Sequence, residues 1–304
     1  MLHQVPRLDL SNCSPTQLVD TLAKHSCVLL DKHGIDPQIL QNMLASWDDF
    51  YMLPRDEKAK VQWPNIGPWF GWQPVAEDGP KADLMERFEL RLDAKLANQN
   101  RLAWAKTFPL WPTEPEDFQS SWTTLYFHLW DLASQLMKMI AEGIGRVDLD
   151  MAAWTDLQHS NLVANHYYAQ PSDPNRGQWR AHPHVDIGAI TLLWADHAPG
   201  GLEVAINEGN DWVPVQIPED CWLLQVGELL QLWTGGKIPA NLHRVANPPR
   251  EHAVCARRSV VFFHHPKPDV IVTSPDGDPR KAITSEAHIL FRQQEDYTLT
   301  SFTH

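Results

Sequence analysis

Only four cysteines, Cys13, Cys27, Cys221 and Cys255, occur in the 304-residue sequence. They stand too far apart for a CxxC redox or zinc motif and are too few for a disulfide scaffold, so reduced thiols are expected. Basic residues are scarce as well: 25 Lys and Arg against 38 Asp and Glu give a formal charge of −13. A chain this acidic repels phosphate backbones and anionic headgroups unless it concentrates its basic residues, and no basic patch stands out. Nucleic acid and membrane surfaces are therefore not expected partners. No apolar run approaches the roughly 18 residues of a membrane span. The opening MLHQVPRLDL lacks the basic-then-apolar pattern of a secretory signal. A cytoplasmic location is the expectation. Internal repeats, low-complexity tracts and Gly/Ser linkers are also missing, which argues for one compact unit.

Histidine, tryptophan and proline are plentiful, at 15, 14 and 24 residues, and 43% hydrophobic content supports a well-buried core. Neutral imidazole is the commonest metal ligand, so the placement of the histidines matters. Residues 1–115 read as mixed helix and strand. VPRLDL and CVLLD are strand candidates, and Ser14-Pro15 and Asp36-Pro37 are cap signals ahead of TQLVDTLAKH and ILQNMLASWDDFYML. Residues 62–82 read as an aromatic-rich loop by their Gly and Pro content. From Ser120, the stripe Leu125, Leu129, Leu132, Leu136 and Ile140 predicts a long core helix ending near Gly143 or Gly145. After residue 160 come short apolar runs at close spacing: NLVANHYY, IGAITLLWA, GGLEVAI, WVPVQI, CWLLQVG, LLQLW, LHRVAN, RRSVVFFHH and VIVTS. This indicates a β-sandwich or barrel over 116–304, closed by a helical stretch in SEAHILFRQQEDY.

The segment AHPHVDIGAITLL sets His184 and Asp186 two residues apart on a predicted strand, so both side chains leave one face. A second candidate strand carries His243. Two imidazoles and one carboxylate can occupy one face of an octahedral metal and leave three positions open, the arrangement of non-haem Fe(II) oxygenases. Asn165 with Tyr167 and Arg257 with Ser259 repeat the spacing of two on other strands. An inward Arg257 is costly to bury without a partner, and a carboxylate ligand would be its natural counter-charge. Arg258, of opposite parity, is expected in solvent, as are His264 and His265 at the strand end.

The run HVDIGAITLLWAD, then GGLEV, WVPVQ, GELLQLWTGGK, LHRVANPP and RRSVVFF, resembles the isopenicillin N synthase-like branch of the 2-oxoglutarate- and Fe(II)-dependent dioxygenases. CVLLDKHGIDPQILQNMLASWDDFYMLPRDEKAKV is similar to that family's N-terminal helical region, so the likeness spans nearly the whole chain. The resemblance implies a double-stranded β-helix, or jelly roll, flanked by N-terminal helices. It implies iron ligation by His184, Asp186 and His243, and 2-oxoglutarate held by Arg257 and Ser259, with Asn165 and Tyr167 also contacting it. The implied reaction takes 2-oxoglutarate and O2 to succinate and carbon dioxide while a small-molecule C–H bond is hydroxylated, desaturated or used in cyclisation. Asp186 argues against a halogenase, in which a small residue makes room for halide. A 2-oxoglutarate-independent oxidase of the same fold and a non-catalytic binding jelly roll are the alternatives. His182 shares the face of His184 and is expected beside the metal, not on it. Candidate substrate contacts are Trp69, Phe70 and Trp72 in the aromatic loop, Arg180 and His182 on the triad face, and Phe291 near the end, with Arg180 expected to pair a substrate carboxylate. A monomer or weak homo-oligomer is expected.

Overall fold

A computed structural model describes residues 5–62, 71–75, 83–91, 111–146, 154–155, 159–170, 178–206, 211–272 and 282–292. Local chemistry starts its helices. Ser14 accepts a hydrogen bond from the Gln17 amide and Pro15 takes the first helical position of α1 (Pro15–His25). Asp36 caps α2 (Pro37–Met52) in the same way through the Gln38 amide. A short α3 (Arg55–Ala59) follows, and the long core helix is α4 (Phe118–Gly143), whose leucine stripe is buried as its spacing predicts. No helix among the described residues is long and apolar enough to cross a membrane.

The strands of the first part are β1 (Arg7–Asp9), β2 (Cys27–Asp31), β3 (Gly71–Gln73) and β4 (Met85–Arg91). Then come β5 (Asn161–Tyr167), β6 (Ala181–His184), β7 (Ile190–Ala195), β8 (Leu202–Ile206) and β9 (Asp211–Pro214). The rest are β10 (Trp222–Val226), β11 (His243–Val245), β12 (Arg257–His264), β13 (Ile271–Val272) and β14 (Ile283–Thr284). An eight-stranded sheet has the order β1-β2-β10-β7-β12-β5-β4-β3, and a four-stranded sheet the order β6-β11-β8-β9. This is the jelly roll. Strands from the first 115 residues sit at both ends of the large sheet, so both parts of the chain build one sheet.

Alternation along the central strands separates two cores. Leu162, Ala164, Leu192, Trp194, Val260 and Phe262 face the helices, where Trp47, Phe50, Phe88, Phe118 and Trp122 form an aromatic cluster. Val163, Leu193, Leu223 and Val261, of opposite parity, face Leu202 and Val204 of the small sheet. Strands buried on both faces read as continuous apolar runs, which is how IGAITLLWA and RRSVVFF appear in the sequence.

Several expectations are corrected. LLQLW is not a strand: it lies in α5 (Glu228–Trp233), where Leu229, Leu230 and Trp233 recur at helical spacing and are buried while Leu232 faces out. The preceding Gly227 passes so close to the chain that an added Cβ would sit 2.2 Å from the Gly188 carbonyl oxygen. Part of the aromatic loop is strand β3, paired with β4. Arg258 is only half-exposed and is ion-paired to Asp48 of α2 and, at 3.6 Å, to Asp196. His264 and His265 are buried, because the chain beyond β12 stays covered by an isolated bridge from Thr155 to Pro266. All four cysteines are free thiols.

Candidate metal centre and cosubstrate pocket

His184 ends β6 and pairs directly with His243, the first residue of β11, so the register of two antiparallel strands brings the imidazoles together. Their ring centroids are 4.3 Å apart. Asp186 lies two residues past the end of β6, in the turn leading to β7, so turn geometry and not strand alternation carries its carboxylate inward. Asp186 Oδ1 is 3.8 Å from Nε2 of His184 and 3.8 Å from Nε2 of His243.

The other atoms of these side chains are already engaged. Nδ1 of His184 faces the His182 carbonyl at 2.6 Å and Nδ1 of His243 faces the Asn241 carbonyl at 3.0 Å. A carbonyl accepts only, so Nδ1 is the nitrogen that carries the proton in each neutral ring, which leaves the lone pair on Nε2. Thr191 donates to Asp186 Oδ2 at 2.6 Å, and Gln225 holds Asn241 at 2.7 Å. Burial, then the neighbouring His184, push His243 well below the usual imidazole range, which keeps it unprotonated at neutral pH. Two imidazoles and one carboxylate oxygen, converging with three open positions, fit an octahedral Fe(II).

The triad opens on a cavity of about 1170 Å³ that Arg257, Ser259, Asn165 and Tyr167 also line. These four are cross-strand partners: Arg257 stands opposite Tyr167, and Ser259 opposite Asn165. Asn165 Nδ2 donates to Ser259 Oγ at 3.2 Å, and the Arg257 guanidinium lies 5.1 Å from the Tyr167 ring centre. Arg257 is 3% exposed, yet its Nη1 has no hydrogen-bond partner. A buried donor on a charged group without an acceptor is expected where a ligand supplies one.

The chain matches the family described as the 2OG-Fe(II) oxygenase superfamily over residues 158–266. Over residues 5–114 it matches the family described as the non-haem dioxygenase in morphine synthesis N-terminal. The chain belongs to the 2-oxoglutarate- and Fe(II)-dependent oxygenases. The Aspergillus niger 2-oxoglutarate-dependent dioxygenase caaD is 26% identical, covering 97% of this chain and 94% of that protein. Flavanone 3-dioxygenase 2 of Oryza sativa subsp. japonica is 26% identical over 95% of this chain and 80% of its own length. Among solved structures, a full-length Neurospora crassa protein in complex with alpha-KG superposes with a TM-score of 0.81 at 22% identity, covering 96% of both chains. Oxygenases of this family use Fe(II), 2-oxoglutarate and O2.

The candidate substrate contacts divide between cavity wall, core and solvent. His182 lines the cavity, with Nδ1 2.8 Å from Asp83 Oδ1, and is not one of the converging triad groups. Trp72 is a core residue: it is 2% exposed, and its indole N–H donates to Glu86 on the helix-facing side of β4. Arg180 is fully buried outside the cavity lining and bonded to backbone carbonyls, so it is not available to a substrate carboxylate. Phe291 points to solvent, while its neighbours Ile289, Leu290 and Arg292 line the cavity. Trp69 and Phe70 lie outside the described residues. Sequence reading missed the inner face of β4. MERFELR alternates so that Met85, Arg87, Glu89 and Arg91 face the cavity while Glu86, Phe88 and Leu90 face away, a pattern its charged and apolar residues already displayed.

Proposed function

We propose that this oxygenase oxidises a C–H bond of a polar small molecule that carries an anionic group, with 2-oxoglutarate converted to succinate and carbon dioxide. The observation that carries the reading is the tautomeric arrangement of the triad: backbone carbonyls occupy both Nδ1 atoms, so two Nε2 lone pairs and one free carboxylate oxygen face the cavity that contains Arg257. His184, Asp186 and His243 would hold Fe(II), which when bound supplies the redox chemistry with O2. Arg257 and Ser259, with Asn165 and Tyr167 beside them, would hold the far carboxylate of 2-oxoglutarate by a charge-assisted pair and hydroxyl contact. Val163, Leu193 and Val261 form an apolar stretch of cavity wall that keeps water from the reacting groups.

The charge on β4 supports the substrate class. Arg87 and Arg91 flank Glu89 on the cavity face of β4. Nε of Arg91 lies 3.6 Å from Glu89 Oε1, beyond hydrogen-bond reach, and has no other acceptor among the described residues. Burial pushes the Glu89 carboxyl up, opposed by Arg91 and Arg87, and Asn161 donates to it at 2.8 Å. A substrate anion would complete this wall. The four free thiols support a reducing, cytoplasmic setting.

Anaerobic titration of the Fe(II)-loaded protein with 2-oxoglutarate tests the reading. A visible charge-transfer band, followed in air by succinate release, is expected. Absence of the band would point to the 2-oxoglutarate-independent oxidase or to a binding protein.

A further inference from the structure

Arg180 lies one residue before β6 with no surface exposed, and both its Nη atoms bond backbone while Nε has no hydrogen-bond partner. Nη1 donates to the carbonyls of Pro199 and Gly200 at 2.8 Å each, and Nη2 to the carbonyl of Cys255 at 2.7 Å. The first two carbonyls belong to the turn between β7 and β8, and the third lies two residues before Arg257. Gly201, next in that turn, borders the anchor directly: a Cβ added there would lie 3.6 Å from Arg257 Nε. At Gly200, where φ is +72°, a Cβ would come within 2.4 Å of Pro248, so this position of the turn requires glycine. Both guanidiniums share one ring, with Cζ of Arg257 5.1 Å and Cζ of Arg180 5.9 Å from the Tyr167 centroid.

No carboxylate lies within ion-pair distance of either guanidinium among the described residues, although both are buried. Burial, then the charge of Arg257, push Arg180 down to about 10, so it remains a cation at neutral pH. Two buried guanidiniums thus stand beside one tyrosine with no carboxylate in direct ion-pair contact, Asp196 acting on Arg180 only from farther off, so a ligand carboxylate in the pocket would feel both charges.

We propose that Arg180 is a positioning residue for the cosubstrate: it clamps the backbone on two sides of Arg257 and adds a second positive charge beside Tyr167, so that the pocket selects an α-keto acid with a distal carboxylate. This rests on the 2-oxoglutarate reading above. The test compares 2-oxoglutarate with 2-oxovalerate, which has a methyl group in place of the distal carboxylate. Dissociation constants for both are measured with the anaerobic Fe(II) protein from the visible band and from thermal stabilisation.

Arg180→Gln is expected to raise the 2-oxoglutarate constant by about tenfold while leaving that of 2-oxovalerate within about twofold. Arg180→Lys, which keeps the charge but cannot reach three carbonyls in a planar fork, is expected to fall between. Equal weakening of both ligands would reduce Arg180 to a structural tie and overturn the proposal, as would an unchanged preference for 2-oxoglutarate. If the glutamine variant does not fold, the lysine variant carries the same comparison. A wild-type protein that gives no band with 2-oxoglutarate overturns the underlying reading, a result separate from anything the variants show.

Discussion

The Thr191 hydroxyl donates to Oδ2 of Asp186 at 2.6 Å, which fixes the carboxylate so that Oδ1 alone turns toward His184 and His243. Partners of this kind orient a ligand without touching the metal, and their loss typically costs about 10- to 100-fold in affinity. Thr191→Val, nearly isosteric, should therefore weaken Fe(II) binding by roughly that factor while melting close to wild type. Metal titration followed by calorimetry checks it.

Removing the ligand itself goes further. Asp186→Ala leaves two imidazoles and no anionic donor, so succinate formation should cease. Normal succinate release by this variant would sink the triad.

Arg257→Ala should cost about 2–5 kcal/mol in 2-oxoglutarate binding, at least ~30-fold in the dissociation constant, because the far carboxylate loses its buried partner. An unchanged constant would remove Arg257 as the anchor.

The β4 wall predicts a selectivity. In a panel of matched small molecules, phenylacetate with phenylacetamide and N-acetyl-L-leucine with its methyl ester, the acids should stabilise the metal- and 2-oxoglutarate-loaded protein anaerobically more than their neutral counterparts. Arg91→Gln should erase the difference. Equal stabilisation by acid and neutral forms in the wild type counts against an anionic substrate.

Acid should unfold the protein partly through His265. Burial, then the charge of Arg91, push this ring down to about 3, against about 6.5 for a free imidazole. The unfolded chain therefore takes up this proton first, so stability present above pH ~6.5 is lost as pH falls toward about 3. Urea unfolding at pH 7.5 and 5.5 should show a smaller loss in His265→Gln than in wild type. Identical losses would place the acid sensitivity elsewhere.

Much of the site was legible in one dimension because its parts sit on strands, where a spacing of two means a shared face. Arg257 with Ser259 and Asn165 with Tyr167 follow that rule, and the β5–β12 register then sets them opposite one another. Asp186 keeps the spacing of two from His184 but lies past the strand, so its inward direction comes from the turn and not from alternation. Arg180 shows the limit of parity: its position before β6 pointed to the substrate, but three carbonyls from distant segments capture its guanidinium. Trp72 likewise reads as a loop aromatic until β3 pairs with β4 and packs it into the core.

The sequence by itself determined the β-rich class, the helix starts at Ser14 and Asp36, and the candidate triad and candidate carboxylate anchor, because caps, alternation and motif spacing act over a few residues. Tertiary structure alone decided which nitrogen of each histidine is free, what orients Asp186, and how β4 charges the cavity. Those features depend on hydrogen bonds and strand neighbours far apart in the chain, and no local pattern records them.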